Sequence, residues 1–190
     1  MKKAVLFLIF IGSFLFGREA VIKEILSENM IIMEQNGVSK RAKLAGIALF
    51  TKVNGKNRSV SYKERERLHA EAVNYILENM PVGSKIKFIK IDNAEEGAEY
   101  IWPIIGDQEL NYLMVKNGYA LLDANDPYLL GAFYMRLKTA MEYAKRKRFG
   151  LWRDNFGVMS SLVETRSYYG SDNKNVSKND LLTFFKEKAK

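Results

Sequence analysis

Lys52, Lys56, Arg58, Lys63, Arg65 and Arg67 fall within one short stretch, and no acidic residue interrupts them before Glu64. Cations crowded in this way suit phosphate, because they can follow a nucleic-acid backbone and release its counterions. The plainer account is a lysine-rich loop held in solvent. Glu95, Glu96 and Glu99 form an acidic group that could offer oxygen ligands to a cation, though carboxylates in a turn are usually only solvated. Tyr62, Tyr100, Trp102 and Tyr112 could stack on bases. Aromatic side chains on strands more often fill a core, and a core role is expected here. Residues 145–148 read K-R-K-R, which suits either phosphates or the negative end of a helix dipole, and the dipole is favoured. The chain has no cysteine, and its one histidine is His69. Thiolate zinc sites, His-rich metal centres and His-based triads are therefore set aside, and His69 is expected on a helix surface.

The elements that must position these groups follow from pattern. Residues 20–26, 29–34 and 39–47 read as three strands. Asn36-Gly37 joins the second and third, because a type I′ hairpin turn needs positive φ at both central residues. A polar loop covers residues 50–62. Ser61 then caps a helix, with Glu64 three residues on as a capping box. Leu68, Ala72, Val73, Ile76, Leu77 and Met80 give that helix one apolar face, and Pro81 and Gly83 stop it. Residues 84–92 alternate lysine with apolar side chains, as a half-buried strand does. Residues 98–105 form a further strand, where Pro103 argues for an edge or a bulge. A short helix at 109–117 ends at Gly118, and residues 119–122 add a last short strand. The longest helix is expected to start at Asp126-Pro127, with Pro127 at its first position, and to run to about Arg148. Leu151-Trp152 then packs back on the core. Residues 159–175 read as a loose tail, and 179–188 as a short amphipathic helix.

The chain opens on Lys2 and Lys3, followed by an apolar run at 4–16 broken only by Gly12 and Ser13. Spanning a bilayer takes about 20 apolar residues, so this run suits a secretory signal peptide cut after Gly17. Leu15 departs from the small residue preferred near such a cut, and the alternative is an uncleaved anchor. The expected organisation is a signal peptide at 1–17, one domain at 18–157 and a flexible tail at 158–190. The product is expected outside the cytoplasm, in the periplasm or beyond the cell, with no transmembrane segment in the mature chain. About 170 residues remain, enough to bury a real core. The net charge of +8 favours anionic partners such as nucleic acid, anionic lipid or cell-wall polymer. The order β-β-β-α-β-β-α-(β)-α places the chain in the α+β class: a five-stranded barrel of the oligonucleotide/oligosaccharide-binding (OB) type with about three helices.

Four segments in this order carry a resemblance. Residues 42–47, A-K-L-A-G-I, are similar to the V-R-L-x-G-I-D-x-P-E stretch of thermonuclease (micrococcal-nuclease-like) domains. Residues 110–120, L-N-Y-L-M-V-K-N-G-Y-A, resemble that family's L-N-x-x-L-V-x-x-G-x-A segment. Residues 140–152, closing on F-G-L-W, resemble its A-x-x-x-x-x-G-L-W ending. The helix at 65–80 falls where the family has its first helix. Together these span roughly residues 20–153.

The resemblance implies an OB fold and, for active members, calcium-dependent cleavage of nucleic acid. That chemistry needs carboxylates to hold the metal, a glutamate to activate water and two arginines to pair with the phosphate. The first arginine matches Lys43, which keeps charge but not the bidentate fork. The D-x-P-E aspartate matches Ala48 and its glutamate Thr51, with Leu49 and Phe50 between. An earlier aspartate matches Asn29, and the second arginine matches Ala98 after Gly97. A shift of register does not restore the set, because no Asp or Glu lies between Glu34 and Glu64. The expectation is a preserved nuclease fold with no catalytic residue, no metal ligand and no cofactor, acting as a binding module. Lys43, Lys52, Lys56, Arg58 and Lys63 would then be its substrate-binding groups, because in this fold the loop after the third strand borders the substrate cleft. The expected partner is nucleic acid or another anionic polymer, or an envelope protein. The alternative is a divergent phosphodiesterase with a relocated site, using Lys43 and the carboxylates of 95–99, with calcium as its cofactor. A third expectation is structural, with the terminal helix docking to an envelope protein.

Overall fold

The computed structural model describes residues 18–26, 29–52, 60–94, 97–124, 126, 129 and 131–167, without the side chains of 52 and 164–167. The expected signal peptide, Lys56, Arg58, Glu95, Glu96 and the 179–188 helix lie outside these residues, as does the side chain of Lys52.

Alternation builds the wall. In β1 (Arg18–Ile25), Ala20 and Ile22 point inward while Glu19 and Lys23 face solvent. β2 (Met30–Gln35) buries Ile31 and Met33, and β3 (Val38–Leu44) buries Ala42 and Leu44. Asn36 and Gly37, both at positive φ, make the hairpin between them. β5 (Lys85–Asn93) buries Ile86 and Phe88. β1 pairs antiparallel with β2 and β5, β2 with β3, and β5 with β6 (Glu99–Ile105). A parallel β3–β6 pairing closes the ring, giving a five-stranded mixed barrel of the OB type. Register shifts in β1 and β5 supply the local twist that closure needs.

The third strand is shorter than its sequence suggests. After Leu44 the chain turns at Ala45–Gly46, and β4 (Ile47–Ala48) leaves the barrel to pair with β8 (Leu121–Leu122). Pro103 is not at an edge. It pairs opposite Phe88 in β5, and on its other side it falls between the β3 pairing, which ends at Ile101, and the pairing with β7 (Gln108–Glu109), which starts at Ile104. A residue without an N–H is tolerated there because neither neighbour needs that donor.

Helix α1 (Tyr62–Asn79) follows the expected face: Leu68, Ala72 and Ile76 join the barrel core. The Ser61 hydroxyl accepts a bond from the Glu64 N–H at 3.2 Å. The Glu64 carboxylate turns instead to Arg67, at 2.7 Å, so only half of a capping box forms. Ser61→Ala is expected to lower stability by about 1 kcal/mol in urea denaturation. The turn after α1 binds back to β1: Gly83 N–H donates to Ile22 O at 2.7 Å, and Ile22 N–H donates to Ser84 O at 3.0 Å. α1 therefore sits at the end of the barrel where β5 starts. The opposite mouth is ringed by the start of β1, the β2–β3 hairpin, the end of β5 and the start of β6.

Four α-helices are present among the described residues, one more than expected. α2 (Leu110–Lys116) packs on β6 and on α3 (Gly131–Lys147). Trp102 of β6, fully buried, meets Phe133 of α3 with ring centroids 4.5 Å apart. α3 starts five residues after Asp126 rather than at Asp126-Pro127. Gly118 and Gly150, both at positive φ, let two turns touch: a Cβ on Gly118 would lie 2.2 Å from Phe149 O. The expected loose tail begins as α4 (Phe156–Ser167), whose Met159 and Leu162 are buried in the core. No helix of the described residues is long and apolar enough to cross a membrane.

Candidate nucleic-acid interface

The positions that the nuclease resemblance assigns to chemistry are filled by packing contacts. Asn29 sits between β1 and β2 with φ at 60°. It is buried, and its amide donates to Leu44 O at 3.2 Å and to Ile47 O at 2.8 Å. Its own carbonyl accepts from Leu44 N–H at 2.9 Å. Asparagine tolerates positive φ and supplies an N–H₂, whereas a carboxylate has no proton to give those carbonyls. Ala48 is buried in β4 opposite Leu121, and Phe50 is fully buried. Ala98 is buried beside Gly97, and its carbonyl accepts from Ala94 N–H at 2.7 Å. Thr51 Oγ1 lies 3.5 Å from His69 Nδ1, so His69 is half-buried against the turn at Phe50–Lys52 rather than free on a helix surface.

Lys43 is the exception. Its Nζ donates to the Tyr100 hydroxyl at 2.9 Å and lies 4.9 Å from the centre of that ring. Burial pulls the ammonium pKa down. The Tyr100 hydrogen bond and the nearby Asp126 and Asp123 outweigh it and hold the pKa above the ordinary lysine value. The Tyr100 hydroxyl is pushed up, first by burial and then by the two aspartates, against the pull of Lys43. Lys43 therefore carries its charge throughout the physiological range. The two aspartates are placed by backbone bonds. Gly46 N–H donates to Asp126 Oδ2 at 2.7 Å, and Asp123 N–H donates to Gly46 O at 2.9 Å. This use of Asp126 holds its segment to the β3–β4 corner, a role distinct from starting α3.

Register shows what shares a face with Lys43. Lys43 pairs with Met30 and with Tyr100, and Arg41 pairs with Ile32. Ala42 and Leu44 point inward, so Arg41 and Lys43 point outward. Arg41 is exposed, while Met30 and Ile32 are half-buried. The outer β2–β3 wall thus sets two cations beside apolar side chains and a tyrosine. OB barrels use this wall to hold oligonucleotides and oligosaccharides. Sequence reasoning passed over Arg41; the alternation in S-K-R-A-K-L was the signal that pairs it with Lys43. Lys63 lies on a separate element, the exposed first turn of α1, where Tyr62 is also exposed. Tyr62 thus departs from the expected core role, and Tyr112 is half-buried, while Trp102 and Tyr100 are buried. The cations at and just after the end of α3 make cation–π contacts: Lys145 lies 5.9 Å from the Trp152 ring centre, and Arg148, the residue after the helix, packs over Phe156.

Glu99 is not a solvated turn carboxylate. It pairs with Ala42, whose side chain points inward, so it faces the barrel interior at the end of the barrel where β6 starts. It is 7% exposed. Lys40 and Lys90 each approach its Oε1 at 3.3 Å, and Arg18 approaches at 3.9 Å. Burial opposes its ionisation, but the hydrogen bonds from Lys40 and Lys90 hold its pKa below the usual carboxylate range. Lys43 and Glu99 therefore stand on opposite faces of the same wall. Among the described residues no group of three or more His, Asp or Glu side chains could hold a metal ion. No known family model matches this sequence, and comparison with curated proteins finds no match.

Proposed function

We propose that this chain is a non-catalytic binding module, exported from the cytoplasm, that holds single-stranded nucleic acid or a similar anionic polymer on the outer β2–β3 wall of a nuclease-like OB barrel. The observation that carries this reading is the outward pair Arg41 and Lys43 on β3 beside the half-buried Met30 and Ile32 of β2, with the buried Tyr100 holding Lys43 in place. Guanidinium and ammonium groups pair with phosphates, and the half-buried apolar side chains of Met30 and Ile32 give bases and sugars an apolar surface to lie on. The non-catalytic part rests on Asn29, Ala48 and Ala98, each committed to packing or to backbone hydrogen bonds. A relocated nuclease using Lys43 with the acidic group at 95–99 is less well supported. Its one described carboxylate, Glu99, faces the barrel interior, away from Lys43.

The purified protein with calcium and labelled DNA or RNA is expected to bind the strand and leave it intact. Cleavage well above a control purified in the same way would overturn the non-catalytic reading. Arg41→Ala and Lys43→Ala are each expected to weaken binding threefold to tenfold, about 1 kcal/mol, and to reduce the salt slope by about 0.7. Fluorescence anisotropy at several salt concentrations measures both.

A further inference from the structure

We propose that the charged cluster at the mouth of the barrel is a binding site for inorganic phosphate, held by Arg18, Lys40 and Lys90 and selected by Glu99. Three cations from three strands meet one carboxylate there, leaving an excess of positive charge. All three address the same oxygen, at 3.3, 3.3 and 3.9 Å. A charge-assisted bond is usually about 2.7–2.9 Å, so these cations share an acceptor without being satisfied by it. Lys40 also donates to Gln35 Oε1 at 3.1 Å, and Lys90 to Asn93 Oδ1 at 2.6 Å. Even so, two ammonium groups and a guanidinium offer far more N–H donors than these three oxygens accept. An anion at the mouth would take the surplus.

Glu99 states which anion. Its Oε2 is buried and has no hydrogen-bond partner among the described residues. The ionised carboxylate accepts and cannot donate, so the ligand must bring a proton as well as negative charge. Inorganic phosphate keeps at least one P–OH near neutral pH, and sulfate has none. A phosphate monoester loses its last proton with a pKa of about 6, so it too arrives mostly without one. The mouth should therefore prefer inorganic phosphate to both. The side chains of Lys40 and Lys90 are 34% and 23% exposed, so they can swing to admit an ion beside the carboxylate. The site is separate from the β2–β3 wall, because Lys40 and Glu99 point to the opposite face from Lys43.

The test is titration of the full chain at constant ionic strength with sodium phosphate, sodium sulfate and glycerol 2-phosphate. Two-dimensional NMR would follow the backbone amides of residues 40, 90 and 99. The expected result is saturable shifts with phosphate, about tenfold tighter than with sulfate or the monoester. Absence of saturable shifts with phosphate, or equal affinity for phosphate and sulfate, would overturn the proposal. Arg18→Gln removes the most exposed of the three cations and should keep the fold while weakening phosphate threefold to tenfold; unchanged affinity in that variant counts against the site. Glu99→Gln, where it folds, should erase the preference for phosphate over sulfate, and a preference that survives contradicts the role given to Glu99.

Discussion

Asn29→Asp is expected to destabilise the protein by about 3 kcal/mol at neutral pH rather than to restore a metal ligand. Aspartate is the residue that the nuclease resemblance calls for at this position, so the substitution separates two views of the site. Asn29 donates two hydrogen bonds to the carbonyls of Leu44 and Ile47 from a buried position. An ionised aspartate there would lose both donors and face two carbonyl oxygens with a negative charge. Its folded pKa would rise above its unfolded value. The protonated form can still donate one bond, so the damage should be least below the unfolded pKa and should grow as pH rises through the folded one. Urea denaturation of the variant against the parent at pH 4 and pH 7 measures this. A variant as stable as the parent at pH 7, or one further stabilised by calcium, would contradict the structural role given to Asn29.

Glu99→Gln is expected to cost about 2 kcal/mol. Removing one partner from a buried ion cluster leaves the others uncompensated, which can cost about 3–5 kcal/mol, and the partial exposure of Lys40, Lys90 and Arg18 softens that loss. The pH dependence follows from the same group. The folded pKa of Glu99 lies below the usual carboxylate range, so its stabilisation is fully present above the unfolded pKa and is lost as pH falls through the folded one. The parent should therefore lose stability on acidification more steeply than Glu99→Gln does. Parallel denaturation curves from pH 7 to pH 3 would show the two converge. Curves that stay equally separated at every pH would mean the carboxylate does not titrate against these cations.

The barrel was legible because its signals are local. Alternation in residues 84–92, the Asn36-Gly37 turn and the apolar face of α1 each follow from residues close in sequence. What escaped depends on partners far along the chain. Pro103 suggests an edge until the pairings of β3 and β7 are seen to leave a gap there. Asp126 looks like the start of a helix, yet its carboxylate is engaged by the N–H of Gly46. α4 has weak local helical signals, with Gly157 and a serine pair, and is held by burial of Met159 and Leu162. Glu99 sits among acidic neighbours in sequence, and only the closed barrel brings it three cations. The candidate site divides in the same way. Lys43 was visible through the motif at 42–47, whereas its pairing with Tyr100 and Arg41's place on the same face required the β3–β6 and β2–β3 registers.

The central claim is that the outer β2–β3 wall binds an anionic polymer through its charges. Fluorescence anisotropy of a labelled single-stranded oligonucleotide, titrated with the full chain from 50 to 300 mM salt, tests it most directly. The account predicts binding whose log affinity falls linearly with log salt, with a slope of about −0.7 for each phosphate neutralised, shallower when Arg41 and Lys43 are both alanine. Binding that is absent at the lowest salt, or unchanged in slope and affinity by the double substitution, would contradict it.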